Sequence, residues 1–284
     1  MLIRFTKMHG LGNDFMLLDL ISRDIHLGED RMRSLADRRL GIGFDQLLTV
    51  GPPSNPGADF RYRIFNADGA EVEQCGNGAR CVTRFVRDRG LTTKTHITLE
   101  TSSGQIDCKL EKDGNITVNM GAPRLGPDHI PFIAKHSQIT YELAVPATIN
   151  QCKNIEPVWI SAINVGNPHA VLAVDDVSSA PVAKLGPLIE GHSRFPERVN
   201  VNFMQILSRD EIALRVYERG VGETLACGTG ACASVVAGRL IGLLDENVTV
   251  SLPGGNLSIR WAGNESDIYM TGPACRVYEG RLHI

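Results

Sequence analysis

Glu71-Val72-Glu73-Gln74-Cys75-Gly76-Asn77-Gly78-Ala79-Arg80 and Glu223-Thr224-Leu225-Ala226-Cys227-Gly228-Thr229-Gly230-Ala231-Cys232 are two copies of one local design. Each reads as a loop that carries a cysteine, then a Gly-x-Gly-Ala turn, then a helix. The likeness continues outward at the same offset. Upstream, Arg63-Ile64-Phe65-Asn66 lies over Arg215-Val216-Tyr217-Glu218, a strand pattern in both. Downstream, Gly90-Leu91 lies over Gly242-Leu243, and Ile97-Thr98-Leu99 over Thr249-Val250-Ser251. Near the two starts, Gly12-Asn13 matches Gly166-Asn167. A repeat this long implies two like halves, each with one cysteine at the start of a helix.

The rest of the chain fits that plan. Strand patterns cover residues 1–8, 15–20, 47–50, 60–66, 97–100, 105–110 and 116–119, and helix periodicity covers 30–40 and 78–88. The second half repeats the programme, with strands near 158–165, 170–174, 201–207, 212–217, 248–252, 257–261 and 267–271 and helices over 182–188 and 230–243. A final strand pattern over 274–280 suggests a return to the first half. Mostly strand with one long helix per half means α+β, not a doubly wound parallel sheet. Gly121 to Pro127 reads as the link, so residues 1–125 with 273–284 are expected to form one domain and residues 126–272 the other.

Composition narrows the function. The 284 residues are 43% hydrophobic and 21% charged, with a net charge of −3. These are ordinary values for a globular protein, and they give no reason to expect nucleic acid or a membrane as partner. The seven cysteines are odd in number and lack a Cys-x-x-Cys pair, which argues against a disulfide framework or a zinc ribbon. The eight histidines have no metal-site spacing, so no metal is expected. The N-terminus lacks the apolar run of a signal peptide, and a reducing, cytoplasmic location is expected.

A thiol at a helix N-terminus faces unpaired N–H groups and the positive end of the helix dipole, and both favour the thiolate. The glycines that follow let backbone amides cup a carboxylate. Two such thiols on opposite faces of one carbon suit inversion, one removing a proton and the other returning one. Amides aimed at the adjacent carboxylate stabilise the carbanion. Cys81, Cys108, Cys152, Cys232 and Cys275 read instead as small buried hydrophobes. His169 reads as a structural loop histidine. Asn13, Asn66 and Asn167 fit either turn formers or ligand contacts. Two other classes remain open on the residues alone. Gly228-Thr229-Gly230-Ala231-Cys232-Ala233 formally fits a dinucleotide-binding turn, and Cys75 and Cys227 fit a dithiol redox pair.

The sequence resembles the diaminopimelate epimerase family over essentially its whole length. The shared motifs are Gly10-Leu11-Gly12-Asn13-Asp14-Phe15, Gly43-Phe44-Asp45-Gln46, Phe65-Asn66-Ala67-Asp68-Gly69, Glu73-Gln74-Cys75-Gly76-Asn77-Gly78, Gly166-Asn167-Pro168-His169, Pro196-Glu197-Arg198-Val199-Asn200, Tyr217-Glu218-Arg219-Gly220 and Ala226-Cys227-Gly228-Thr229-Gly230. The resemblance implies two pseudo-symmetric domains, each a barrel-like, mostly antiparallel sheet around a central helix, with the site in the cleft between them. It implies a cofactor-independent enzyme that interconverts LL- and meso-2,6-diaminoheptanedioate for lysine and peptidoglycan precursors, acting as a cytoplasmic homodimer. Cys75 and Cys227 would be the acid/base pair. The amides of Gly76, Asn77, Gly228 and Thr229 would hold the reacting carboxylate. Asn13, Asn66, Asn167, Asn200, Glu218 and Arg219 would bind the amino groups and the distal carboxylate, with Gln46 beside them. Proline racemase-like enzymes and related isomerases share this architecture, so the fold alone does not name the substrate.

Overall fold

A computed structural model describes residues 2–21, 25, 27–72, 76–145 and 157–283. The chain divides into two compact units, Met1–Asn119 with Thr271–Ile284, and Met120–Met270.

In the first unit β1 (Leu2–Gly10) pairs antiparallel with β2 (Asn13–Asp19), which runs parallel to β3 (Gln46–Gly51). β3 is antiparallel to β4 (Phe60–Asn66), and β4 carries the two-residue β5 (Glu71–Val72) on one end and β6 (His96–Thr101), parallel, on the other. β7 (Gly104–Leu110) and β8 (Ile116–Asn119) continue antiparallel. The last strand of the chain, β18 (Cys275–His283), pairs antiparallel with β1. The sheet is mixed but mostly antiparallel, as expected of an α+β fold.

Helix α2 (Gly76–Asp88) is the core of this unit, packed against β1, β2, β3, β4, β7 and β8. Ten of its thirteen residues are buried, which is the mark of a helix enclosed on nearly all sides. On the other face of the sheet, α1 (Glu29–Ala36) lays Met32, Leu35 and Ala36 into a cluster with Ile3, Phe5, Met16, Leu18, Phe44 and Leu47. Sequence periodicity extends this helix to Leu40, but it stops four residues earlier. The Asp37 carboxylate accepts the N–H groups of Arg39 and Leu40, so the chain turns there although the apolar spacing continues.

The second unit repeats the order. β9 (Tyr141–Leu143) pairs with β10 (Val158–Asn164), β10 with β11 (Pro168–Ala173), and β11 runs parallel to β12 (Asn200–Ile206). β12 is antiparallel to β13 (Glu211–Glu218), which carries the short β14 (Gly222–Thr224) and, parallel, β15 (Asn247–Leu252). β16 (Gly255–Trp261) follows antiparallel, and the unit ends at Met270, within β17 (Ile268–Gly272). Every pairing sense from β10 to β16 matches its counterpart from β1 to β7.

Helix α4 (Gly228–Leu240) fills this core as α2 fills the first. Glycine, alanine, serine and valine at its buried positions let β10, β11, β12 and β16 approach closely. Helix α3 (Val182–Glu190) takes the place of α1 and packs on β12, β13 and β14. The expected link near Gly121 to Pro127 is tied into the second unit, where the backbone of Arg124 pairs with Asn164.

Cys81, Cys108 and Cys232 are buried as expected. Burial pushes the Cys108 thiol up to about 12, so it is inert. Cys275 is exposed, contrary to expectation, because β18 shows nearly all its side chains to solvent. Cys152 lies outside the described residues.

Candidate active site

Cys227 is the N-cap of α4. The chain leaves β14 at Thr224, reaches Cys227 in an extended conformation (φ −121°, ψ 111°), and enters the helix at Gly228. Its Sγ accepts the N–H of Gly230 at 3.4 Å and lies 3.5 Å from Thr229 Oγ1. The residue is only 5% exposed. The amides of the first turn have no carbonyl within the helix to bond, so the cysteine sits among donors at the positive end of the dipole. Gly230 is required here by close approach: a Cβ would come within 2.6 Å of Asn202 Oδ1. Its counterpart Gly78 lies tighter still, against the Tyr62 hydroxyl.

Around the same end of the second unit are the other expected residues. Asn200, 3% exposed, donates from Nδ2 to the Pro168 carbonyl at 3.2 Å and accepts the Arg219 N–H at 2.8 Å. Arg219 donates through its guanidinium to the Glu197 carbonyl at 2.9 Å, and its side chain is otherwise open to solvent. Glu218 accepts the Thr224 hydroxyl at 2.5 Å. Asn167, half-buried, is joined to His169 Nε2 through Oδ1 at 2.9 Å.

His169 is not a loop residue. β11 begins at Pro168, opposite Asn164, and places the imidazole fully inside the unit. Burial, helped by the charge of Arg219, lowers its pKa to about 3, and the ring is neutral at physiological pH.

In the first unit, Gly76 and Asn77 open α2 and are buried. The Asn77 side chain donates to Asn13 Oδ1 at 3.2 Å, and the fully buried Arg80 donates to Asn77 Oδ1 at 3.0 Å. Asn13 Nδ2 donates to Asp45 at 3.0 Å. Gln46 and Asn66, opposite each other on β3 and β4, bond at 3.0 Å. Behind them Asp14 accepts from Arg38 and Lys7. Burial works to raise its pKa, but those two cations outweigh it and hold the carboxyl at about 2. Cys75 lies outside the described residues, with Glu73 and Gln74.

The structure thus gathers Asn13, Gln46, Asn66, Gly76 and Asn77 in one unit, and Asn167, Asn200, Glu218, Arg219, Cys227, Gly228 and Thr229 in the other. Sequence reasoning assigned no role to Arg80, Asp45 or Asn202. Arg80 had a visible signal: a charge on the apolar face of α2 where the repeat has Cys232. Among the described residues, no cluster of histidine, cysteine, aspartate or glutamate is placed to hold a metal, and no helix is long and apolar enough to cross a membrane.

A duplicated α+β unit wrapped on an enclosed core helix is a fold found in solved structures of several names. A hydroxyproline epimerase from Agrobacterium vitis has it (TM-score 0.70, 14% identity, 99% of this chain and 92% of that one). So does a phenazine biosynthesis protein of the PhzF family from Bacillus anthracis (TM-score 0.71, 18% identity, all of both chains). The chain belongs to the diaminopimelate epimerase family: the family's sequence model matches residues 5–126 and 161–277. A protein named diaminopimelate epimerase from Thioalkalivibrio sulfidiphilus is 59% identical over 286 residues and covers both chains completely.

Proposed function

We propose that this protein interconverts LL- and meso-2,6-diaminoheptanedioate by direct proton transfer at one α-carbon, with Cys75 and Cys227 as the two acid/base groups. One sulfur, as thiolate, takes the α-proton and becomes a thiol, leaving the electron pair on carbon. The other, as thiol, gives its proton to the opposite face and becomes a thiolate. No atom is gained or lost. The two sulfurs exchange protonation states, so the next turnover in the same direction requires proton exchange with solvent.

The observation that carries this reading is Cys227 at the N-cap of the enclosed helix α4, nearly buried, with Gly230 N–H directed at its sulfur. That setting favours a thiolate and, through the Gly228 and Thr229 amides, a carboxylate whose α-carbon is becoming a carbanion. Cys75 holds the corresponding position in the repeated sequence, ahead of Gly76 and Asn77. Arg219 offers a fork for the distal carboxylate, and Glu218 an anion for an ammonium group. Asn13, Asn66, Asn167 and Asn200 supply the donors and acceptors that hold the stereocentre which must not react, with Gln46 supporting Asn66. The activity requires no pyridoxal phosphate, and the protein works in the cytoplasm as a homodimer.

Turnover of LL-diaminopimelate by wild type, Cys75→Ala and Cys227→Ala, with L-proline derivatives as controls, tests this. Epimerisation by wild type only, without added pyridoxal phosphate, is expected. Near-normal turnover by either variant would remove that cysteine from the mechanism.

A further inference from the structure

Behind their loop asparagines the two units differ in chemistry. Phe15 is paired with Gln46 across β2 and β3 as His169 is with Asn200 across β11 and β12. Leu17 is paired with Leu48 as Val171 is with Asn202. Phe15 and Leu48 of the first unit are therefore replaced by His169 and Asn202 in the second. Packing agrees, since Leu48 lies against Gly78 and Asn202 against Gly230. His169 and Asn202 are both fully buried. A polar pair in such a place is costly unless bonded, and the first unit fills the same positions with hydrocarbon. Core packing alone does not call for the exchange.

One atom sets the direction of every bond in this group. Asn202 Oδ1 is buried, has no hydrogen-bond partner, and faces the Cα of Gly230 in the first turn of α4. An oxygen is favoured there by the positive end of the helix and by the Cα–H. An NH2 group turned the same way would leave two buried donors without acceptors. With Oδ1 toward the helix, Nδ2 donates to His169 Nδ1 at 3.0 Å. A ring nitrogen that accepts carries no proton, so the proton of the neutral imidazole is on Nε2. It is donated to Asn167 Oδ1 at 2.9 Å. The oxygen of Asn167 is thereby occupied, and its Nδ2, which donates to no described residue, is left to present N–H groups.

We propose that Asn202 and His169 are positioning residues that pass the polarity of the α4 N-terminus to Asn167 and make its side chain a hydrogen-bond donor to a substrate carboxylate. An ammonium group would meet donor with donor at this point, so the arrangement helps decide which end of a zwitterion lies against Asn167. The first unit orients Asn13 by another route, from Arg80 through Asn77 to its Oδ1, with Asn13 Nδ2 on Asp45. Duplication has kept an oriented asparagine in both units and changed the groups that orient it.

The proposal rests on the reading of function above, and its test separates the two. Side-chain 15N NMR of the wild-type protein at pH 7 should show His169 as the neutral Nε2–H tautomer; an Nδ1–H tautomer or an imidazolium overturns the relay. Asn202→Leu, which copies Leu48, should mix the tautomers. It should also raise KM for LL-diaminopimelate about tenfold or more, with a change in kcat under about threefold, as expected for loss of one bond to a charged group. His169→Gln keeps a donor near the Nε2 position and should hold KM within about threefold of wild type, whereas His169→Asn, with a donor only near Nδ1, should match Asn202→Leu. An unchanged KM in Asn202→Leu, or equal KM values in the two His169 variants, overturns the proposal. If wild type shows the expected tautomer but does not epimerise diaminopimelate, the functional reading fails and the relay stands.

Discussion

Gly230 has a hydrogen where a methyl group would meet Asn202 Oδ1 at 2.6 Å, and Asn202 is locked against His169 on its other side. Neither neighbour has room to yield. Gly230→Ala is expected to cost about 1–3 kcal/mol in urea denaturation, as overpacking does, and to lower kcat by displacing Cys227. Unaltered stability and activity would show that the helix start adapts. His169 gives a second expectation at this scale. Its pKa is about 3 in the folded chain and ordinarily about 6.5 unfolded. Between these values the unfolded state binds more protons, so stability falls as pH drops below about 6.5. His169 alone should remove about 2 kcal/mol between pH 7 and pH 5. His169→Gln should lose less over that interval, and parallel pH profiles for the two proteins would contradict the burial of a neutral imidazole. This residue was the one most misread from sequence. His169 follows a Gly-Asn-Pro turn, which reads as a loop, and nothing local reveals that Asn202, on a different strand, meets it in the core. The repeat did hold the clue, since His169 falls where the first half has Phe15.

At the scale of elements, each cysteine helix is entered from a short hairpin strand held by the same ion pair. Arg63 bonds Glu71 at 2.9 and 2.8 Å, and Arg215 bonds Glu223 at 2.6 and 3.0 Å. Arg215 does more than its twin, because it also donates to the carbonyls of Val177 and Ala180 ahead of α3. Its pair with Glu223 is partly solvent-exposed and worth under about 1 kcal/mol. Glu223→Gln should therefore be mild, whereas Arg215→Met, which strips the carbonyls as well, should cost about 1–3 kcal/mol. Chemical denaturation of both variants checks the order, and equal losses would mean that the carbonyl bonds contribute nothing. Elements of this kind were legible wherever periodicity met a clear stop. β4 and β8 have the limits that the sequence suggested, and α2 and α4 begin two residues earlier than their apolar spacing does. Glycines at those starts carry no hydrophobic signal, so the register of the first turn was hidden. The two-residue β5 and the three-residue β14 are too short to show alternation, and exist because β4 and β13 offer them an edge.

The whole molecule is a duplication whose two copies have kept their topology and divided their chemistry. The pairing senses repeat strand for strand, and that was readable because the repeated stretches hold the turn glycines and the strand arginines in step. The groups supporting the site were less legible, since Asp45, His169 and Asn202 meet partners far away in sequence, and Arg80 reaches Asn13 only through Asn77. The central claim is that two thiols act on opposite faces of one carbon, each handling its own proton. Early-time turnover of LL-diaminopimelate in D2O, followed by NMR or mass spectrometry of both isomers, tests it most directly. Deuterium at the α-carbon of the newly formed meso isomer, with the remaining LL isomer still protiated, is the result expected of two separate acid/base groups. Deuterium appearing equally in both isomers from the start would mean a single base serving both faces, and would contradict the account.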